Sequence, residues 1–424
     1  MFTTSFSTAL SALAATSTAI DVVGNNLANL NSPGFKTSDV VFRDLVPQSL
    51  GAGLGETQVG FGTGQPLTVR QFTQGAVQTT SGLLDAAVQG DGFFVVKDTG
   101  GNTFYTRAGN FQADKAGNLL TDTGFQVQGW TNITSALAGV NTNGPIGNIV
   151  VPVGSLKPPA ATTTITADLN LNSSAAADAT SDFSTPITIY DSLGTSHVLT
   201  LNFEKTGANA WSYKITVPGD DIGGGTAGTP FDISGASGTL SFGNQDGLLT
   251  DPAAGSPLAF TIPGLTDGAK DLAVSWNFYT AGGVGRITQF GQKSAPSANS
   301  QDGSPAAGLD RVGLSDGGQI LAHYTDGTQV VVGQVSLAAI RNPDSLVAAG
   351  NNNFQLSAAT ATPSVGLPGT GGRGSIVGGS IEASTVDIAR EFTNLIVYQR
   401  GYEANSKVIT TADSMSQTTI NLIR

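Results

Sequence analysis

The sequence predicts a mainly β protein with terminal α-helices, organised as nested domains. Three observations carry this. Gly 56 and Pro 18 among 424 residues cut the chain into short segments. Charged residues are only 12% of the total. Seven-residue apolar repeats mark the two ends. Short strands closed by Gly, Asp and Asn turns fit the first two features, and helices fit the third.

Residues 3–30 contain no Pro and one Gly, Gly24. Phe6, Leu13, Ile20 and Leu27 recur every seven residues, with Ala9, Thr16, Val23 and Leu30 three residues after each. That pattern predicts a helix stopped by Ser32-Pro33-Gly34. Strands are expected at 92–96, 104–107, 118–120, 124–130 and 149–151. A loose linker at 157–162 leads into a hairpin, 186–190 and 195–203, around Asp191-Ser192-Leu193-Gly194. Strands 211–217 and 272–279 follow, and 294–307 reads as a second loose stretch. Strands 319–324 and 330–337 join at Asp326-Gly327, and 357–374 is again Gly-, Pro- and Thr-rich. Ser384 or Thr385 is expected to cap a last helix, in which Ile388, Leu395, Tyr402, Ile409 and Ile423 keep one register. Each helix has a single apolar seam, so the two are expected to pair. The expected domains are a terminal helical inner domain (1–45 plus 376–424), a β-rich body (46–155 plus 292–375) and an inserted β-barrel-like outer domain (156–291).

Composition excludes several functions. The net charge of −12 supplies no basic stripe for nucleic acid and no attraction to an anionic membrane. With no Cys, disulfide and thiolate chemistry are ruled out. The two His, His197 and His323, read as strand residues, and Asp91, Asp98, Asp191, Asp316 and Asp326 as turn residues. The G-x-G-x-x-G match at 369–374 has no strand before it and reads as a linker. No catalytic, cofactor or metal residue is therefore expected, and the chain is not expected to be an enzyme. No apolar run reaches the roughly 18–20 residues of a membrane helix, so no membrane insertion is expected. No Lys or Arg precedes the first apolar stretch, which argues against a cleaved signal peptide. The first 20 residues are uncharged. A helix uncharged on every side expects neighbours on most sides, which means burial in an assembly. The candidate assembly interface is Phe6, Leu13, Ile20 and Leu27 with Ile388, Leu395, Tyr402 and Ile409.

The run Asn25, Asn26, Ala28, Asn29 followed by Gly34, Phe35 and Lys36 resembles the N-terminal signature of the bacterial flagellar rod and hook family. Residues 89–94 and 104–111 look like the body domain of that family, and 333–338 like its return strand. Residues 379–387 and 398–402, with Asn405, look like its C-terminal signature. Residues 188–197 are similar to the start of the outer domain of hook-type members. The resemblance implies a structural subunit that polymerises into a curved, flexible tube, a universal joint carrying motor torque from rod to filament. It implies a homopolymer with rod proteins below, a cap during assembly and hook–filament junction proteins above. It also implies passage through the flagellar type III export apparatus without a cleaved signal, and an extracellular place in the basal body and hook. The terminal helices would form the inner tube, the body a middle shell and the insert the outer surface. A distal rod-like structural protein and a secreted β-rich adhesin remain as alternatives.

Overall fold

The computed structural model describes residues 2–45, 48–50, 57–131 and 140–422. Ile423 of the C-terminal register lies outside them. The chain divides into two compact units. The first comprises Met1–Val153, Asp310–His323 and Thr328–Arg424, and the second Gly154–Leu309 and Tyr324–Gly327.

In the first unit, α1 (Phe2–Ala28) and α2 (Ile388–Leu422) pack against each other. Thr16 lies against Gly401, and the Asn26 amide faces Glu391. Position rises along α1 as it falls along α2, so the pair is antiparallel. Among the described side chains of α1, Ala9, Ala15, Ala19, Val23 and Asn26 are buried. Most are small, which lets backbones approach closely. The residues of the expected stripe are not the ones most buried between the two helices of one subunit. Leu13, Ile20, Leu27, Leu395 and Ile409 are half-buried, whereas Phe6, Ile388 and Tyr402 are exposed. A strict seven-residue row drifts about 20° per heptad around a straight helix, so the actual seam leaves it. Capping is corrected as well. Asp387 caps α2, its Oδ1 accepting from Ala389 N at 2.9 Å and Arg390 N at 3.2 Å. Thr385 is engaged elsewhere, its Oγ1 accepting from Thr37 N.

The membrane expectation also changes. The 23-residue helical segment Phe6–Ala28 contains an 18-residue window with a mean hydropathy of 1.4, long and apolar enough to cross a membrane by length and composition only. Strictly apolar runs within it are short, but Ala, Ser and Thr lower the average little.

The remainder of this unit is β-structure. Phe93–Lys97 pairs antiparallel with Thr103–Thr106, Gln126–Thr131 and Leu337–Ala339. Gln126–Thr131 also pairs with Gln329–Val335. Phe93, Phe94, Val95 and Val96 are all buried, as a strand covered on both faces requires. Phe72, Phe93 and Phe354 meet edge to face. The C-terminal segment returns through two short pairings, Ser375–Gly378 with Ala86–Gln89 and Ser380–Glu382 with Val77–Thr79.

The second unit holds two five-stranded sheets. One is a meander of Phe183–Tyr190, Ser196–Gly207, Ala210–Pro218, Pro230–Phe242 and Leu249–Asp251. The other centres on Thr164–Asn172, which pairs in parallel with Leu272–Trp276 and Ile287–Phe290. Both sheets feed one core, and alternating burial along Thr164–Asn172 and Ser196–Gly207 gives each an inner face. Isolated bridges at Leu248–Thr288 and Ile222–Leu265 join their edges, which gives the unit its barrel-like character. The stretch read as loose at 294–307 contains a strand, Ala295–Gln301, antiparallel to Thr164–Asn172. Its side chains are nearly all exposed, so no burial pattern announces it. This pairing places residues 292–309 with the second unit and corrects the expected boundary at 291.

Trp276 is fully buried against Phe203, Tyr213 and Phe278. Trp276→Ala should cost the second unit about 3–5 kcal/mol. Calorimetry should find its transition lowered and the transition of the first unit unmoved. A single transition shifting as a whole would contradict two compact units.

Candidate functional site

The N-terminal signature, the body and the C-terminal segment converge on one carboxylate. Glu382 ends the short strand that returns beside Val77–Thr79, and its side chain is fully buried. Its Oε1 accepts from Lys36 Nζ at 2.6 Å and from Gly75 N at 2.7 Å. Its Oε2 accepts from Arg107 Nη1 at 3.2 Å. Lys36 also donates to Thr73 O at 2.6 Å, and Arg107 Nη2 to Gly90 O at 2.8 Å. The Arg107 guanidinium lies 5.2 Å from the centre of the Phe93 ring. Burial pulls the Lys36 ammonium below its ordinary pKa, opposed by the charge and hydrogen bond of Glu382.

Backbone geometry allows this convergence. Gly34 has φ +69, and a Cβ there would come 2.5 Å from the Ala108 amide nitrogen. Only glycine meets both demands. Gly34 N donates to Glu382 O at 2.8 Å, Ala383 N to Ala76 O at 2.8 Å and Thr385 N to Phe35 O at 3.1 Å. Asn26 closes the exit from α1 by a reciprocal pair with Ser38, donating to its carbonyl at 2.9 Å and accepting from its amide at 3.1 Å. Asn29 Nδ2 donates to Asn25 O at 2.9 Å. Asn25 and Ala28 are exposed, while Phe35 is buried. The motif residues thus form the hinge between helix and body. They anchor the helix to the body.

Sequence reasoning singled out Lys36 but gave no role to Glu382, Arg107 or Glu391. Glu391 sits in the first turn of α2, almost fully buried, and its Oε2 has no hydrogen-bond partner among the described residues. Burial pushes its carboxyl up, with the Asn26 amide opposing.

Comparison with known proteins agrees along the chain. Residues 6–36 match the family model described as flagella basal body rod protein. Residues 87–168 match the D1 domain of flagellar hook protein FlgE/F/G, and 160–304 the flagellar basal body protein FlaE D2 domain. Residues 377–422 match the C-terminal model of the flagellar basal body rod FlgEFG proteins. These matches and the paired terminal helices define an axial structural protein of the bacterial flagellum. Among relatives, the flagellar hook protein FlgE of Treponema pallidum is 33% identical, covering 96% of each chain. That of Escherichia coli is 30% identical, covering 98% of this chain and 99% of its own. A crystal structure of Helicobacter pylori flagellar hook protein FlgE2 shares the fold, with TM-score 0.52 and 13% identity over 71% of this chain and 99% of that one. The chain belongs to the flagellar hook protein family, and its role is that of a structural subunit of the hook.

Two substitutions probe the site. Glu382→Ala leaves two buried cations unpaired and should destabilise the first unit by about 3–5 kcal/mol. Lys36→Met leaves Glu382 bonded to Arg107 and Gly75 and should cost clearly less. Denaturant unfolding followed at Trp130 distinguishes them, and equal costs would contradict the geometry.

Glu391→Gln tests the buried carboxyl. A raised folded-state pKa means the folded protein holds its proton more tightly than the unfolded chain, so stability is lost as pH rises through that pKa. The variant should melt higher than the parent at pH 7 and alike at pH 4. A lower melting temperature at pH 7 would refute this.

Proposed function

We propose that copies of this chain polymerise through their terminal helices into a curved, flexible tube that carries motor torque from rod to filament. The observation that supports this most is the surface of α2. Ile396 is 54%, Val397 59% and Ile420 61% exposed, and Phe392, Val408 and Met415 are also exposed. Ile388, Phe392 and Ile396 lie four residues apart and so form one stripe. The 35-residue α2 also outlasts the 27-residue α1, so its end has little cover within one subunit. Apolar rows of this extent call for other copies of the chain.

In this reading the paired helices of the first unit line the tube. Phe6, Ile388 and Tyr402 meet neighbouring copies, while Leu13, Ile20, Leu27, Leu395 and Ile409 edge the seam between the helices. Low charge suits outer surfaces that slide during bending better than fixed ion pairs do. Rod proteins below, a cap during growth and junction proteins above are the expected partners. Export proceeds through the flagellar apparatus without a cleaved signal, to an extracellular position. A chain with no Cys carries no disulfide that would hinder threading in the unfolded state. The role is mechanical and involves no catalysis.

Ile396→Asp places a carboxylate on the exposed stripe. The monomer should keep its melting temperature within about 1 °C, because exposed surface sites change stability little. Electron microscopy should find no tubes, and a strain carrying the variant should not swim. Normal tubes would overturn the role of the stripe.

A further inference from the structure

The second unit carries a buried polar cluster that the structural role does not use. His197, in the Ser196–Gly207 strand, is nearly enclosed. Its Nε2 lies 3.2 Å from Asp191 Oδ2 and 4.0 Å from Asp267 Oδ2. Its Nδ1 lies 3.0 Å from Asp221 Oδ2. Asp191 is fully buried, and its Oδ1 is occupied by the amides of Leu193 at 2.8 Å and Thr195 at 2.9 Å. Its Oδ2 is left facing the imidazole. Among the described residues, no Lys or Arg pairs with Asp191, Asp221 or Asp267. Even a protonated His197 offsets only one of three carboxylates. Asp221 and Asp267 keep contact with solvent, so the cost falls on the fully buried Asp191, which a further cation would relieve.

We propose that Asp191, His197 and Asp267 bind a divalent transition-metal ion, with zinc as the best match, and that Asp221 orients the imidazole. The three ligand atoms lie within 4.8 Å of one another. Tetrahedral zinc with bonds near 2.1 Å sets ligand atoms about 3.4 Å apart, so the 3.2 Å separation already fits, the 4.0 Å one needs a shift of about 0.6 Å, and the two carboxylate oxygens, within 4.8 Å of each other, draw together on the exposed Asp267 side. A carboxylate on the far ring nitrogen is the usual support for a metal-bound histidine, and the Asp221 carboxylate lies 3.0 Å from that nitrogen, off the N–H direction, so that a small turn of either side chain would complete the bond. A nitrogen ligand beside two carboxylates favours zinc over calcium or magnesium, which prefer all-oxygen sites. Asp267 is partly exposed and provides the way in. The fourth position is left to water.

The ion would act as a staple. Asp191 lies in the turn between Phe183–Tyr190 and Ser196–Gly207, in one sheet. Asp267 lies between Leu258–Ile262 and Leu272–Trp276, in the other. Asp221 follows Ala210–Pro218, beside the Ile222–Leu265 bridge. A metal here would lock the two sheets together at one end of the unit.

The test uses the full chain, stripped with chelator and dialysed, with Zn2+ as the probe. Titration calorimetry should find saturable binding of one Zn2+ per chain, and zinc should raise the melting of the second unit followed at Trp211 and Trp276. Ca2+ and Mg2+ should do neither. Asp267→Asn should weaken binding at least tenfold, while melting no lower than the parent without metal, because a like charge has been removed. Asp221→Asn should weaken binding about 10–100-fold. His323→Ala should leave binding unchanged. No saturable binding, or equal affinity in the parent and Asp267→Asn, overturns the proposal.

Discussion

One buried carboxylate organises the first unit. Glu382 receives a lysine from the exit of the first helix, an arginine from the body sheet and a backbone amide from the Gly75 turn. Each partner comes from a different stretch of chain, and each has lost its water. A buried ion cluster of this kind adds little net stability over an apolar core, because desolvation nearly cancels attraction. Its effect is on specificity. Any arrangement that separates the termini from the body leaves a bare charge in a dry interior. The helices therefore leave the body at one fixed place, with Gly34 allowing the close approach and Asn26 fixing the turn into Ser38.

The surface that the helices present depends on that anchor. They run antiparallel and bury mostly small side chains against neighbouring elements, which leaves larger apolar groups of α2 outward. Such a surface is what the proposed function would cover with further copies of the chain. The family relationship is shown separately, since relatives named flagellar hook protein match along nearly the whole chain. The second unit is built differently, with one aromatic-rich core between two sheets and, among its described residues, no helix longer than a single turn.

The helices were legible because their apolar spacing and lack of Pro are local properties. Their buried face was only partly legible. A row of Phe6, Leu13, Ile20 and Leu27 catches the eye by size, whereas the buried residues include Ala9, Ala15 and Ala19, which carry almost no hydrophobic signal. The hairpin around Asp191 to Gly194 was evident from its turn residues. Ala295–Gln301 was not, because its pairing uses backbone groups and its side chains are small and exposed. The Glu382 site was invisible as a site: Lys36 and Glu382 are 346 residues apart, and no local spacing links them. The resemblance placed both residues inside family motifs without saying that they touch. His197 and Asp191 were likewise read singly, as a strand residue and a turn residue. Asp221 and Asp267, which give them a shared environment, come from other turns.

Lys36 and Glu382 act on each other directly and hold the termini to the body, and on this the rest of the first unit turns. A double-mutant cycle with Lys36→Met, Glu382→Gln and the double variant, measured by denaturant unfolding of the first unit, isolates that interaction from the separate effects of each substitution. The expected result is a favourable coupling of about 1–3 kcal/mol, the double variant being more stable than the sum of the single losses implies. Additive losses, with coupling indistinguishable from zero, would contradict it.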